Sequence, residues 1–290
     1  MSKYHRQPNL FVGQIEIKVS KIERSLRFYQ DILGFSILEK GEDKVLLTAD
    51  GKKPLITIHQ PKGVLPKEER TTGLYHIAIL LPQPSDLGAI LKKLIAEGYP
   101  LQGASHHGIS EAIYLQDPDG NGIEIYTDTP DSTWVWENGL IVAEGKALDM
   151  EALLSKAEEE EWLGMPQETL LGHIHLSVAE LKAAEEFYRK GLGFDIVMSY
   201  PDQAIFFSTG GYHHHVAVNV WKGLGAPAPK DNSVGLGFFT LMFPNEGTRE
   251  KTVNHLKELG YLIQMENGIV TVEDPSKNKI KLMVCEANRQ

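Results

Sequence analysis

The feature that most constrains this chain is that it repeats itself. Gly13-Gln-Ile-Glu-Ile-Lys-Val19, Phe28-Tyr29 and Leu33-Gly34-Phe35 return as Gly172-His-Ile-His-Leu-Ser-Val178, Phe187-Tyr188 and Leu192-Gly193-Phe194. Gly13 and Gly172 are 159 positions apart (172 − 13 = 159), and so are Gly34 and Gly193 (193 − 34 = 159). A shared period without insertion calls for two copies of one structural unit. The copies are unequal: Gln14 in the first is answered by His173 in the second. Differences of that kind mark where chemistry is kept.

Each copy subdivides again. Residues 15–19 alternate apolar and polar and read as a strand. Ser20 to Leu33 reads as a helix with Ile22, Leu26, Tyr29 and Leu33 on one face, Ser20 as N-cap and Gly34 as stop. Three more strands follow near 35–38, 44–48 and 54–59, which makes a β-α-β-β-β module. The second module opens at Leu74, has a helix over 84–97 stopped by Gly98, and closes with strands near 111–116 and 122–127. The turn Asp117-Pro-Asp-Gly-Asn-Gly122 joins those two strands. The third starts at Gly172 and closes with a strand over His213–Trp221. The fourth starts at Gly235, has its helix near 248–259 and closes across Asp274–Leu282. The domain reading is two modules in 1–130, a helical bridge over 131–168 and two modules in 169–290. The acidic run Asp149–Trp162 in the bridge reads as a solvated helix.

Bulk properties narrow the function. A chain of 290 residues with 42% hydrophobic and 23% charged residues suits a globular protein with room for two cores. Its formal charge of −10 argues against nucleic acid and anionic membrane surfaces. No apolar stretch nears the ~20 residues of a membrane span, and the start carries no secretion-like run, so the expected location is cytoplasmic. Cys285, the sole cysteine, excludes an internal disulfide and a cysteine-based metal site. A metal would be held by nitrogen and oxygen. No glycine-rich dinucleotide loop, Walker loop or nucleophile elbow is present. Asp117–Gly122 lacks the ligand spacing of a calcium loop.

The repeated Phe-Tyr…Leu-Gly-Phe signature, with Asp-Pro-Asp-Gly…Ile-Glu in the second module, resembles the vicinal oxygen chelate superfamily. The resemblance covers nearly the whole chain apart from the bridge. It implies an α+β fold in which four βαβββ modules form two cup-shaped mixed sheets around a divalent metal.

His76 and Glu124 lie on the first and last strands of the second module, where alternating side chains can face one concavity. Glu124 sits among Ile123, Ile125 and Tyr126, where a buried carboxylate needs a partner. In the superfamily these are metal positions. Their counterparts in the fourth module are Phe238 and Lys281, which cannot ligate. A third ligand must come from the first module (Gln14, with His59) or from the third (His173). Imidazole is the better donor, so the expected set is His76, Glu124 and His173, with His175 as fallback. Two histidines and a carboxylate with open positions suit non-haem Fe(II); Mn(II) accepts the same set. This set requires the second module to pair with the third.

The run Gly211-Tyr-His-His-His-Val-Ala-Val-Asn219 reads as a strand with His213, His215, Ala217 and Asn219 on one face. The resemblance narrows to extradiol ring-cleaving dioxygenases of the catechol 2,3-dioxygenase type. It implies an acid–base histidine here, assigned to His215 with His213 and His214 left open. It also implies Tyr114 and His107 as groups that orient substrate. The partners implied are a small aromatic diol and O2; self-association is left open. Two other readings stand beside it. One is a glyoxalase-I-like isomerase with Gln14, His59, His76 and Glu124 around Ni or Zn. The other is a metal-free protein that sequesters an aromatic drug.

Overall fold

The computed structural model describes residues 2–157 and 161–285. Part of the acidic run expected as a helix, residues 158–160, lies outside them. The first module contains β1 (Phe11–Lys18), α1 (Ile22–Leu26), β2 (Ser36–Lys40), β3 (Lys44–Thr48) and β4 (Ile56–His59). The second contains β5 (Gly73–Leu80), α2 (Pro84–Ala96), β6 (Leu101–His106), β7 (Ser110–Gln116) and β8 (Gly122–Asp128). The bridge is not one helix. It forms a hairpin of β9 (Val135–Glu137) and β10 (Leu140–Val142), the two-residue β11 (Lys146–Ala147), and α3 (Met150–Ser155), capped by the Asp149 side chain. The third module holds β12 (Leu170–Ser177), α4 (Leu181–Glu185), β13 (Asp195–Tyr200), β14 (Ala204–Ser208) and β15 (Val216–Asn219). The fourth holds β16 (Gly235–Phe243), α5 (Glu246–Glu258), β17 (Ile263–Glu266), β18 (Ile269–Glu273) and β19 (Lys279–Val284).

Two mixed sheets result, an α+β arrangement with helices alternating between strands. One runs β17-β18-β19-β16-β1-β4-β3-β2, and the other β11-β6-β7-β8-β5-β12-β15-β14-β13. The first module therefore pairs with the fourth through antiparallel β1 and β16, and the second with the third through antiparallel β5 and β12. Within each module, first and last strands pair in parallel. One continuous apolar cluster, including Ile15, Phe28, Ile79, Leu91, Ile174, Phe187, Phe239 and Leu282, spans both sheets and their helices.

The repeated signature has a structural explanation. After α1 the helix widens into a π-helical turn over Arg27–Ile32, and after α4 into another over Glu186–Gly191. Leu33 N–H reaches back five residues to Phe28 O (2.9 Å), as Leu192 N–H does to Phe187 O (2.9 Å). Gly34 and Gly193 then take φ of +86° and +83°, which end both helices at little strain. Tyr29 Oη donates to Asp117 Oδ2 (3.1 Å), and Tyr188 Oη to Asp274 Oδ2 (3.0 Å). Each of those carboxylates also holds its own turn, through Asn121 in one case and Asn278 in the other. The Asp-Pro turns are thus latched to the helix of the preceding module. Ser20 is not the helix cap: Lys21 occupies that position without a side-chain bond, and Ser20 Oγ accepts from Arg24 (2.8 Å).

Candidate metal centre

Three adjacent strands, β8, β5 and β12, build the centre. In the ladder, Glu124 lies opposite Ala78, and Ala78 lies opposite His173. Residues directly opposite share a face, so Glu124 and His173 flank Ala78. His76 is two residues along β5, on that same face. Ala78 has no side chain beyond Cβ and leaves room for its neighbours to converge. The register slips between Leu171 and His173, a bulge that re-aims His173. It is made possible by Gly172, where a Cβ would lie 1.7 Å from the Tyr126 hydroxyl.

The donor atoms meet. His76 Nε2 is 3.0 Å and His173 Nε2 3.2 Å from Glu124 Oε2, and the two nitrogens are 3.4 Å apart. Ligand distances of about 2.0–2.2 Å around an octahedral ion give face edges of roughly 3 Å, close to this triangle. All three residues are buried. Burial pushes the His173 imidazole down to about 4, against the pull of Glu124. Burial alone would raise the Glu124 carboxyl, yet the charge and hydrogen bonds of His173 and His76 hold it well below the usual carboxylate range. The centre is a buried carboxylate facing two imidazole nitrogens. Among the described residues no lysine or arginine is paired with Glu124. A divalent cation fits that donor set, and a closed hydrogen-bond network does not, since His173 Nδ1 also lacks a partner.

Other expected residues divide. Tyr114 lies opposite Glu124 on β7 and has its hydroxyl 2.8 Å from His107 Nε2. Burial and then Glu124 push the Tyr114 phenol far above its ordinary range, so it stays a donor. His175 lies opposite His76, but its Nε2 is taken by Asn219 Nδ2 (2.9 Å). Gln14 and His59 lie in the other sheet, bonded to Thr57 and Glu16.

The histidine run is not in a strand. β15 begins at Val216, and residues 213–215 follow Gly210 and Gly211, both at positive φ, in an irregular turn. Face alternation therefore fails there. His215 turns away: Nδ1 lies 3.1 Å from Ser208 Oγ and Nε2 3.2 Å from Tyr4 O, beside His5 and Tyr212. His214 is the one that faces the centre, its ring 4.0 Å from that of His173. Burial, then His173, push the His214 imidazole well down. Tyr75, Trp221, His175 and Phe206 form an aromatic collar alongside, with ring separations of 5.0–5.8 Å. Tyr126, two residues past Glu124, was open to the alternation argument. His5 was not, because it sits in an irregular leading segment.

A family model described as Glyoxalase/Bleomycin resistance protein/Dioxygenase superfamily matches residues 12–125 and 170–282. Catechol-2,3-dioxygenase of Bacillus subtilis is 43% identical over 267 residues, covering 91% of this chain and 93% of that protein. A solved Bacillus subtilis structure covers 96% of this chain and 86% of its own at TM-score 0.63 and 12% identity. Maize glyoxalase I covers 94% and 92% at TM-score 0.58 and 16% identity, a likeness of fold. The chain belongs to the glyoxalase, bleomycin resistance protein and dioxygenase superfamily.

Proposed function

We propose that this protein is an extradiol dioxygenase that opens a catechol-type ring with O2 at a mononuclear Fe(II) held by His76, Glu124 and His173. The observation that carries the reading is the convergence of those three donor atoms on one point, with His214 and Tyr114 at its edge. The likeness to the Bacillus enzyme over nearly all of both chains supports the choice of reaction. The reading also takes each sheet as a cup, with the site in the hollow of the nine-stranded one.

When bound, Fe(II) supplies a Lewis acid for the two diol oxygens and a redox centre through which electrons reach dioxygen. Tyr114 Oη donates toward the substrate oxygen, and His107 holds that phenol in place. His214, rather than His215, takes the diol proton at Nε2 and returns it as the ring opens. His215 has both ring nitrogens engaged in holding Ser208 and Tyr4. The aromatic collar packs against the ring and keeps bulk water from it. Both atoms of O2 enter the muconic semialdehyde product, so no external reductant is needed.

The test is anaerobic loading with Fe(II), addition of catechol, then air. A yellow ring-fission product is expected. Turnover of a methylglyoxal–thiol adduct with Ni, and no colour from any of several diols, would overturn the proposal.

A further inference from the structure

Three groups run outward from the centre in a hydrogen-bonded line. His214 Nδ1 lies 2.8 Å from His213 Nδ1, and His213 Nε2 lies 2.9 Å from Asp128 Oδ1. His213 is fully enclosed, its side chain 1% exposed, while the Asp128 side chain is 21% exposed. A carboxylate can only accept, and a neutral imidazole has one donor nitrogen and one acceptor. The line therefore has a direction. Asp128 accepts from His213 Nε2–H, which leaves His213 Nδ1 as a lone pair. That lone pair accepts from His214 Nδ1–H, which leaves His214 Nε2 bare. Among the described residues His214 Nε2 has no hydrogen-bond partner, and its ring stands against His173.

We infer that Asp128 and His213 are positioning residues that lock His214 in its Nδ1–H tautomer, so that a free Nε2 base faces the metal centre. The inference rests on the proposed role of His214. Orientation is set by the fold: Asp128 ends β8, four residues after Glu124, and His213 is wedged between Trp134 and Tyr212, with ring separations of 5.3 and 4.0 Å. Tyr212 Oη donates to the same Asp128 oxygen (3.2 Å) and fixes the carboxylate. An amide at position 128 can donate to His213 Nε2 and reverse the line. His214 then carries its proton on Nε2, where a base is required. The same tautomer error disables a serine-protease triad whose aspartate is replaced by asparagine.

The experiment has two arms. In the metal-free protein, two-bond proton–nitrogen correlation of 15N-histidine should show His213 as the Nε2–H tautomer and His214 as Nδ1–H. Asp128→Asn should move both. A wild-type His214 protonated at Nε2, or a doubly protonated His213, overturns the inference, and this arm needs neither a variant nor turnover. In the Fe(II)-loaded protein, Asp128→Asn should lower kcat by about 10²-fold, within the usual range for acid–base groups, with KM and iron content unchanged. Tyr29→Phe also removes one bond to a buried carboxylate but lies outside the line, and its kcat should stay within about threefold of wild type. A loss of that size in Asp128→Asn with both tautomers unmoved, or an equal loss in Tyr29→Phe, would make the line structural and overturn the inference. Absence of turnover with every diol in the wild type would count against the dioxygenase reading alone, and the tautomer arm would still decide.

Discussion

The two sheets are built on one plan and differ in the side chains at its centre. In the nine-stranded sheet the row Glu124–Ala78–His173, with His76 below it, forms a carboxylate–imidazole triangle. In the eight-stranded sheet Lys281 lies opposite Thr240, and Gln14, within the register shift between Val12 and Ile15, and Phe238 hold the positions of His173 and His76. Gln14 N–H donates to Thr240 Oγ1 (2.8 Å), so a hydroxyl fills the gap that Ala78 leaves open. Lys281 Nζ sits 3.5 Å over the Phe238 ring. One sheet presents anion and lone pairs to a cation from outside. The other carries its own cation, resting on a π face. Around it Glu16, at the position of His175, is bonded to Lys44 (2.7 Å) and lies 3.2 Å from His59. The ladder is thus indifferent to the chemistry it presents.

The comparison breaks most severely if its key residues are removed. Glu124→Ala or His173→Ala should abolish stoichiometric iron and lower kcat/KM by at least about 10²-fold, whereas Lys281→Ala should leave both unchanged, by metal analysis and oxygen uptake. Transplanting the triangle sharpens it. Gln14→His, Phe238→His and Lys281→Glu together should raise bound metal from one to two ions per chain; a count that stays at one would show that Thr240 and Glu16 also matter.

Three predictions concern stability. Gly172→Ala places a Cβ onto the Tyr126 hydroxyl and should cost about 2–4 kcal/mol in denaturant unfolding, while Gly193→Ala, with nothing near its Cβ, should cost less. His5 differs in kind. Burial pushes it down to about 4 from an ordinary 6.5, although it bonds Gly172 O (2.8 Å). The unfolded state then binds the extra proton. Stability from this group is full above pH 6.5, falls as the pH drops toward about 4, and levels off below that. His5→Gln should flatten that acid loss by about 3 kcal/mol at most. The smallest effect is expected at the latches. Tyr29→Phe and Tyr188→Phe should each cost about 1–2 kcal/mol and do so equally, since both remove one bond to a buried carboxylate.

Much of this was legible beforehand, for identifiable reasons. The 159-residue offset marks the repeated modules. Alternation in β5, β8 and β12 lets His76, Glu124 and His173 be placed on one face, although the bulge between Leu171 and His173 carries no signal in it. The replacement of His76 and Glu124 by Phe238 and Lys281 could likewise be read by aligning modules. Where alternation stops, so does legibility. Residues 213–215 look like the start of a strand because Val216-Ala-Val follows them, yet Gly210 and Gly211 bend the backbone and send His214 to the centre and His215 away. The π-helical turns could not be told from α-helix, since Ile22, Leu26, Tyr29 and Leu33 keep an α-like spacing through the first of them. In the bridge the acidic run does begin as helix α3 (Met150–Ser155), while the short strands β9, β10 and β11 ahead of it carry no comparable signal.

The tyrosine latches and the sheet pairing stitch the molecule in two directions. Tyr29–Asp117 and Tyr188–Asp274 tie each module to its successor, while β1–β16 and β5–β12 tie the first half of the chain to the second. Neither half owns a complete sheet, and the triangle draws His76 and Glu124 from one and His173 from the other. A severed half should therefore have no metal grip of its own, and the ancestral duplication has become an obligate partnership inside a single polypeptide.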